Sequence, residues 1–189
     1  MELLKQKIIN EGTAIGNNII KVDGFLNHQI DIKLFHEIGK EFKRRFESCG
    51  ITRILTIEAS GIAVACITAS YFEVPVVFAK KHEALNIDND TYQSEVFSFT
   101  KNKAYKIRVS KKYITPVDNV LIIDDFLANG SAAAGLADIV AQSGAKLAGV
   151  GIVIEKGFQK GRAVLEQSSV RLESLAIIKS ISNGKIEFS

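Results

Sequence analysis

Four runs rich in branched apolar residues constrain this chain more than anything else in it: ITRILTIE (51–58), VPVVFAKK (74–81), VLII (120–123) and LAGVGIVIE (147–155). A strand with one wet face alternates apolar and polar residues; a strand apolar throughout has both faces covered. The covers are also legible. From Asp31 to Cys49, residues Ile32, Phe35, Ile38, Phe42 and Phe46 recur at helical spacing, with Asp31 as N-cap and Gly50 as stop. SGIAVACITASYF opens a second helix at a serine-glycine turn, and about Gly130 to Ser143 predicts a third. Short helices are expected over Met1 to Glu11 and after Gly161. VRLESLAII (170–178) reads as the last strand, and the first is expected to begin near Ile51. Alternating strand and helix of this kind predicts an α/β fold, a parallel sheet flanked by helices.

One segment breaks the alternation. From Lys81 to Thr100 the chain turns polar, and EVFSFT (95–100) with AYKIRVS (104–110) reads as a two-stranded excursion. It is too long for a plain connection, and long excursions in compact domains often cover active sites. No repeat or low-complexity linker divides the 189 residues, so residues 1–189 read as one domain.

Composition excludes several classes. Hydrophobic residues are 47% and charged residues 24%, with a formal net charge of only +3. That is no basic face for a nucleic acid. Charges at Glu2, Lys5 and Lys7 interrupt the first ten residues, and no uncharged apolar run approaches the ~18 residues of a membrane span. A cytoplasmic protein is the expectation, with no nucleic-acid and no membrane partner. Cys49 and Cys66 make neither a disulfide framework nor a CxxC site, and both are expected to be buried, reduced thiols. His28, His36 and His82 have no metal-ligand spacing, and His36 falls on the outer side of its helix.

The chemistry concentrates in VLIIDDFLANGSAAAG, residues 120–135. An apolar strand runs into Asp124 and Asp125, then into a small-residue turn and an alanine-rich helix. Ligands of open α/β sheets sit beyond the carboxyl ends of the strands. Backbone N–H groups of Ala128 to Ala132 at a helix N-terminus suit an anion, and the paired carboxylates suit hydroxyls or positive charge. A phosphorylated sugar carrying magnesium satisfies both. A Walker-B reading lacks any GxxxxGK[ST] partner, and a dinucleotide fingerprint is only half present at Gly149 and Gly151. The plainer alternative, a tight turn with capping aspartates, fits poorly with a strand before it and a helix after it.

This motif resembles the phosphoribosyl-diphosphate signature of the type I phosphoribosyltransferases. Three further blocks, KVDGFLNHQID, VPVVFAKKH and GIVIEKGFQKGR, resemble the purine enzymes of that family that prefer xanthine. The resemblance covers nearly the whole chain. It implies transfer of ribose 5-phosphate from phosphoribosyl diphosphate to xanthine, releasing diphosphate, in purine salvage. Guanine/hypoxanthine or adenine as acceptor is the alternative, and a non-catalytic regulator sensing phosphoribosyl diphosphate is a more remote one. It also implies Mg2+ carried by the substrate with no direct protein ligand, a homodimer, an N-terminal base-binding segment over residues 1–30, and a flexible hood over about 81–113.

Residue by residue, the resemblance makes Asp124 and Asp125 catalytic, holding the ribose hydroxyls and stabilising a cation-like sugar. Ala128, Asn129, Gly130, Ser131 and Ala132 would hold the 5′-phosphate. Most of the family has threonines in this turn; here Ser131 is the lone hydroxyl, so the role falls mainly on the amides. Ala59, Ser60 and Gly61 with Lys81, and more weakly Lys80, would meet the diphosphate, although Ser60 could simply cap the helix. Ile20, as an apolar wall, Asn27 and Lys156 would contact xanthine, with Phe158 either stacking on the base or packed in the core.

Overall fold

The computed structural model describes residues 1–81, 90–98 and 103–189. The sheet forms where the apolar runs predict it. Strands β3 (Arg53–Ile57), β4 (Val76–Ala79), β7 (Asn119–Leu127), β8 (Lys146–Lys156) and β9 (Leu172–Ser182) pair in parallel, and β10 (Lys185–Phe188) turns back antiparallel on β9. The order is β10-β9-β8-β7-β3-β4. Chain direction across the sheet therefore reverses between β3 and β7, the switch point at which α/β sheets open a crevice for ligands.

Helices α2 (Ile32–Phe46) and α3 (Ser60–Phe72) cover one face and α4 (Ser131–Ser143) the other; α1 (Glu2–Glu11) and the short α5 (Gly161–Glu166) lie at the flanks. The strands are apolar throughout because each face meets its own core. Leu121 and Ile123 join Phe35, Phe42 and Phe46, whereas Val120 and Ile122 join Leu136, Ile139 and Val140. Asp31 caps α2 as expected, accepting the N–H of Leu34 at 3.1 Å, a contact of about 1 kcal/mol. Gly50 follows in the left-handed region at φ 60°. The glycines that imitate half a dinucleotide motif are packing residues. A Cβ on Gly151 would sit 2.8 Å from the Phe42 ring, and one on Gly149 would sit 2.7 Å from the Phe46 ring.

Several expectations change. The first strands lie well before Ile51: β1 (Thr13–Ile15) and β2 (Ile19–Lys21) form an antiparallel hairpin turned at Gly16, whose φ is 57°. The last predicted strand runs on to Ser182 and folds back through Asn183 and Gly184, both in the left-handed region. That geometry matches the Asn-Gly preference of tight hairpins. The thiols are not both buried: Cys49 is partly covered and Cys66 is exposed, because Cys66 falls on the outer side of α3. Ser60 does not cap α3 but is its first helical residue, after Ala59.

The polar excursion contains β5 (Thr91–Ser98) and β6 (Lys103–Ser110), an antiparallel ribbon. Its base joins the sheet where Lys80 and Arg108 exchange backbone hydrogen bonds of 3.0 Å. The expected hood also spans 82–89 and 99–102, which lie outside the described residues, as does His82. No helix among the described residues is long and apolar enough to cross a membrane.

Candidate active site

At the carboxyl end of β7 the backbone rolls into α4 through Gly130, whose φ of 85° is open to glycine at little cost. The first amide of α4 to donate backwards is that of Ala134, to the carbonyl of Gly130 at 2.9 Å. The amides before it belong to the helix start and lack intrahelical partners. They face a cavity of about 530 Å3 lined by Ala128 to Ala133, with Phe126 and Leu127 beneath them. The positive end of the α4 dipole thus opens on a space large enough for a sugar phosphate and a base.

Three other elements complete the lining. The ribbon contributes Val96, Phe97 and Tyr105; the β1–β2 turn contributes Asn18 and Ile19; the end of β8 and its turn contribute Lys156 and Gln159. Lys156 donates to the carbonyl of Asn18 at 2.9 Å, and its Nζ lies 6.0 Å from the centre of the Phe126 ring. Burial lowers the Lys156 pKa, and the ammonium remains a donor at the cavity wall. Burial, and then the charge of Asp124, raise the Tyr105 phenol.

The paired aspartates immediately precede Phe126 and Leu127 on β7 and are not themselves part of the lining. Asp124 and Asp125 are 5% and 7% exposed, and the Asp124 carboxylate accepts the Asp125 N–H at 3.0 Å. Burial is the largest influence on Asp124, and the neighbouring Asp125 carboxylate adds to it; together they hold its pKa well above the ordinary carboxylate range. Burial therefore disfavours the charged form of Asp124 until positive charge comes beside it. The next carboxylate along the sheet, Glu155, is neutralised differently. Arg162 grips it through two hydrogen bonds of 2.8 and 2.6 Å, and Ser174 donates to the same group.

The second expected loop lies across the switch point. Ala59 is exposed and Ser60 half-buried, but Gly61 is enclosed: a Cβ there would fall 2.2 Å from Thr56 Oγ1 and 2.8 Å from Asp124 Oδ1. Glu58 accepts the backbone N–H of Lys81, which ties this turn to the start of the excursion. The Lys81 ammonium lies 5.6 Å from the Tyr105 ring centre and is among the charges acting on Asp124. Lys80 instead lines a separate basic cavity beside β4.

Of the expected base contacts, only Lys156 lines the main cavity. Ile20 is 7% exposed and belongs to the core, and its hairpin neighbour Ile19 faces the cavity in its place. Alternation along β2 sends one isoleucine each way. Asn27 is exposed in a single π-helical turn, Asp23–Asn27, away from the lining. Phe158 and Phe126 both pack against the core, and of the two only Phe126 also lines the space. Among the described residues no three His, Cys, Asp or Glu side chains converge as a metal cage.

Comparison with known proteins agrees with this architecture. Residues 29–180 match the family model for the phosphoribosyl transferase domain. A xanthine phosphoribosyltransferase of Clostridium novyi is 66% identical over 100% of this chain and 99% of its own. One from Clostridioides difficile is 57% identical over the full length of both. Among solved structures, an adenine phosphoribosyltransferase of Giardia lamblia complexed with 9-deazaadenine superposes with a TM-score of 0.69. It is 26% identical over 77% of this chain and 79% of that one. Asn18 and Ile19 precede the matched domain, so part of the cavity wall comes from a segment outside it. The switch-point crevice, the amide-lined helix start beyond Asp124 and Asp125, and relatives more than half identical from end to end make one statement: the chain belongs to the phosphoribosyltransferase family.

Proposed function

We propose that the protein transfers ribose 5-phosphate from magnesium-bound phosphoribosyl diphosphate to xanthine, forming xanthosine 5′-monophosphate and diphosphate in cytoplasmic purine salvage. The observation that carries this reading is a single cavity joining the amide-rich start of α4 to the Lys156 ammonium. One end suits a phosphate; the other suits a ring carbonyl. The relatives' shared name, xanthine phosphoribosyltransferase, supports xanthine as the base.

The 5′-phosphate occupies the amides of Ala128 to Ala132, assisted by Ser131. Asp124 and Asp125 take the ribose hydroxyls. As the bond from C1′ to diphosphate breaks, positive charge grows on the sugar beside the aspartate pair. The pair then stabilises the transition state more than the ground state, which is the requirement for catalysis. The purine nitrogen forms the new bond to C1′ and its proton leaves to solvent. Diphosphate departs toward Ala59 to Gly61 and Lys81, with its charge partly neutralised by magnesium, which travels as part of the substrate. The β5–β6 ribbon, through Val96, Phe97 and Tyr105, shields the sugar from water. A homodimer belongs to the same reading, and the exposed rings of Phe78 and Tyr113 beside β4 suit it; sedimentation is its check.

A panel of purines with phosphoribosyl diphosphate and magnesium tests the activity directly. Xanthine is used best, and adenine turned over equally well would overturn the assignment. Asp125→Ala lowers turnover by about 10²–10³-fold. Lys156→Ala acts mainly on the KM for xanthine.

A further inference from the structure

The turn after β8 holds more than its lysine. The Gln159 N–H donates to the Lys156 carbonyl at 2.9 Å, which closes the turn and sets the two side chains on the same cavity wall. Two residues on, the Gly161 N–H donates to the Ala128 carbonyl at 3.0 Å. A Cβ on Gly161 would fall 2.5 Å from that same oxygen. The turn is therefore locked to the anion-binding loop, and Gln159 is held in place relative to both ends of the site.

Gln159 Oε1 is buried and has no hydrogen-bond partner among the described residues. An orphaned amide oxygen costs about 1–3 kcal/mol, and buried polar atoms are rarely left in that state unless something comes to meet them. The wall around it supplies a cation at Lys156 and an aromatic face at Phe126. A flat heterocycle against that face would have one donor and one acceptor on the same wall.

We propose that Gln159 is a specificity-determining residue for the base: its Oε1 accepts the N1–H of the purine dione, next to the ring carbonyl that receives Lys156. The proposal rests on the xanthine reading above. N1–H lies between the two carbonyls of xanthine, so it adjoins whichever one the lysine takes. Adenine presents the inverse pattern on this edge, an amino donor beside an unprotonated ring nitrogen. It would set donor against Lys156 and lone pair against Oε1. A site that leaves buried polar groups mismatched rejects the wrong ligand strongly.

The test combines a variant with a modified base. Gln159→Met keeps the length of the side chain and removes the acceptor. With xanthine, kcat/KM falls about tenfold; with 1-methylxanthine, which has no N1–H, it changes less than twofold. KM for phosphoribosyl diphosphate stays within about twofold, as expected for a residue that reads the base and not the phosphate. Equal losses with both bases, or a loss confined to phosphoribosyl diphosphate, would overturn the assignment. Wild-type protein supplies a second measurement that needs no variant. It uses 3-methylxanthine about tenfold better than 1-methylxanthine, by the same lost hydrogen bond, and parity or the reverse order overturns it. Wild type that makes nucleotide from xanthine but fails these comparisons sinks the role of Gln159 alone. Wild type inert toward xanthine sinks the reading beneath it.

Discussion

Two strand-to-helix turns stand side by side at the switch point, and both are rich in small residues. The turn from Ala128 to Ala132 lies open on its cavity and is braced from behind, where a Cβ on Gly130 would come within 3.0 Å of Gly161 Cα. The turn from Glu58 to Gly61 is filled from within: Gly61 lies against Thr56 and Asp124, and Glu58 engages the backbone of Lys81. In both, the closest neighbour of the glycine is the protein itself. A glycine at such a turn therefore does not identify a ligand. What separates the two is whether the amides beyond it open on a cavity. The first opens on a cavity. The second lies against Asp124, four residues before the first begins at Ala128.

The sharpest way to break this contrast is a methyl group at Gly61. Gly61→Ala overpacks against Thr56 and Asp124 at a cost of about 1–3 kcal/mol, and lowers Tm by about 3–10 °C for a chain of this size. Thr56→Ala in the same chain recovers part of the loss by removing the nearer obstacle, a hydroxyl that has no partner among the described residues. Thermal denaturation of the single and double variants decides it. An unchanged Tm for Gly61→Ala would mean that the turn is not packed from within.

Asp124 connects the turns, since it precedes one in sequence and contacts the other. Its folded-state pKa is raised, first by burial and then by Asp125. A raised carboxyl stabilises the fold below the unfolded value of about 4, and that contribution is lost as pH climbs through the higher folded value. Asp124→Asn removes the dependence. The variant and the wild type should match in Tm near pH 4, and the variant should be the more stable at pH 7 while its turnover falls. A wild type as stable as the variant at pH 7 would show that the carboxyl carries no such strain.

Glu41 supplies the contrast with a region outside both turns. On α2 it accepts from Arg44 at 2.8 and 2.9 Å and from Arg45 at 2.8 Å, and these hydrogen bonds lower its pKa to about 2. A lowered carboxyl works with the opposite sign: its contribution is present above pH 4.5 and lost as pH falls toward 2. Glu41→Gln costs roughly 0.5–1 kcal/mol at pH 7, nothing near pH 2, and leaves kcat/KM unchanged. If activity dropped in step with this distant loss of stability, effects at the turns could not be read as local.

Much of the fold was legible because burial on two faces leaves a plain mark. Leu121 and Ile123 could be apolar beside Val120 and Ile122 only in a strand covered twice. The loops were legible as loops, and Ala128 to Ala132 lie where the switch point requires. The rest depended on facts that spacing does not carry. A three-residue strand such as Ile19–Lys21 gives too short an alternation to announce itself, although the Gly-Asn-Asn before it was a turn signal. Which of two adjacent isoleucines faces the cavity depends on the register of that hairpin, which turns Ile19 toward it and Ile20 into the core. Phe126 and Phe158 are equivalent as letters and both pack against the core, but only Phe126, on β7, also lines the cavity. Gln159 gave no signal at all, since an orphaned oxygen exists only in three dimensions.

The smallest expected effect tests how the open turn holds its anion. Ser131 has the only hydroxyl between Ala128 and Ala132, and it is half-buried as the first residue of α4. If the phosphate is held by the amides at the helix start, with the dipole behind them, the hydroxyl adds one hydrogen bond among several. Ser131→Ala then raises KM for phosphoribosyl diphosphate about two- to threefold, the lower end of a net hydrogen bond, and leaves kcat and the KM for xanthine alone. A tenfold or larger rise would place the anchor in the side chain. The open turn would then resemble the closed one more closely, with a specific side-chain contact setting its function and the backbone amides only framing it.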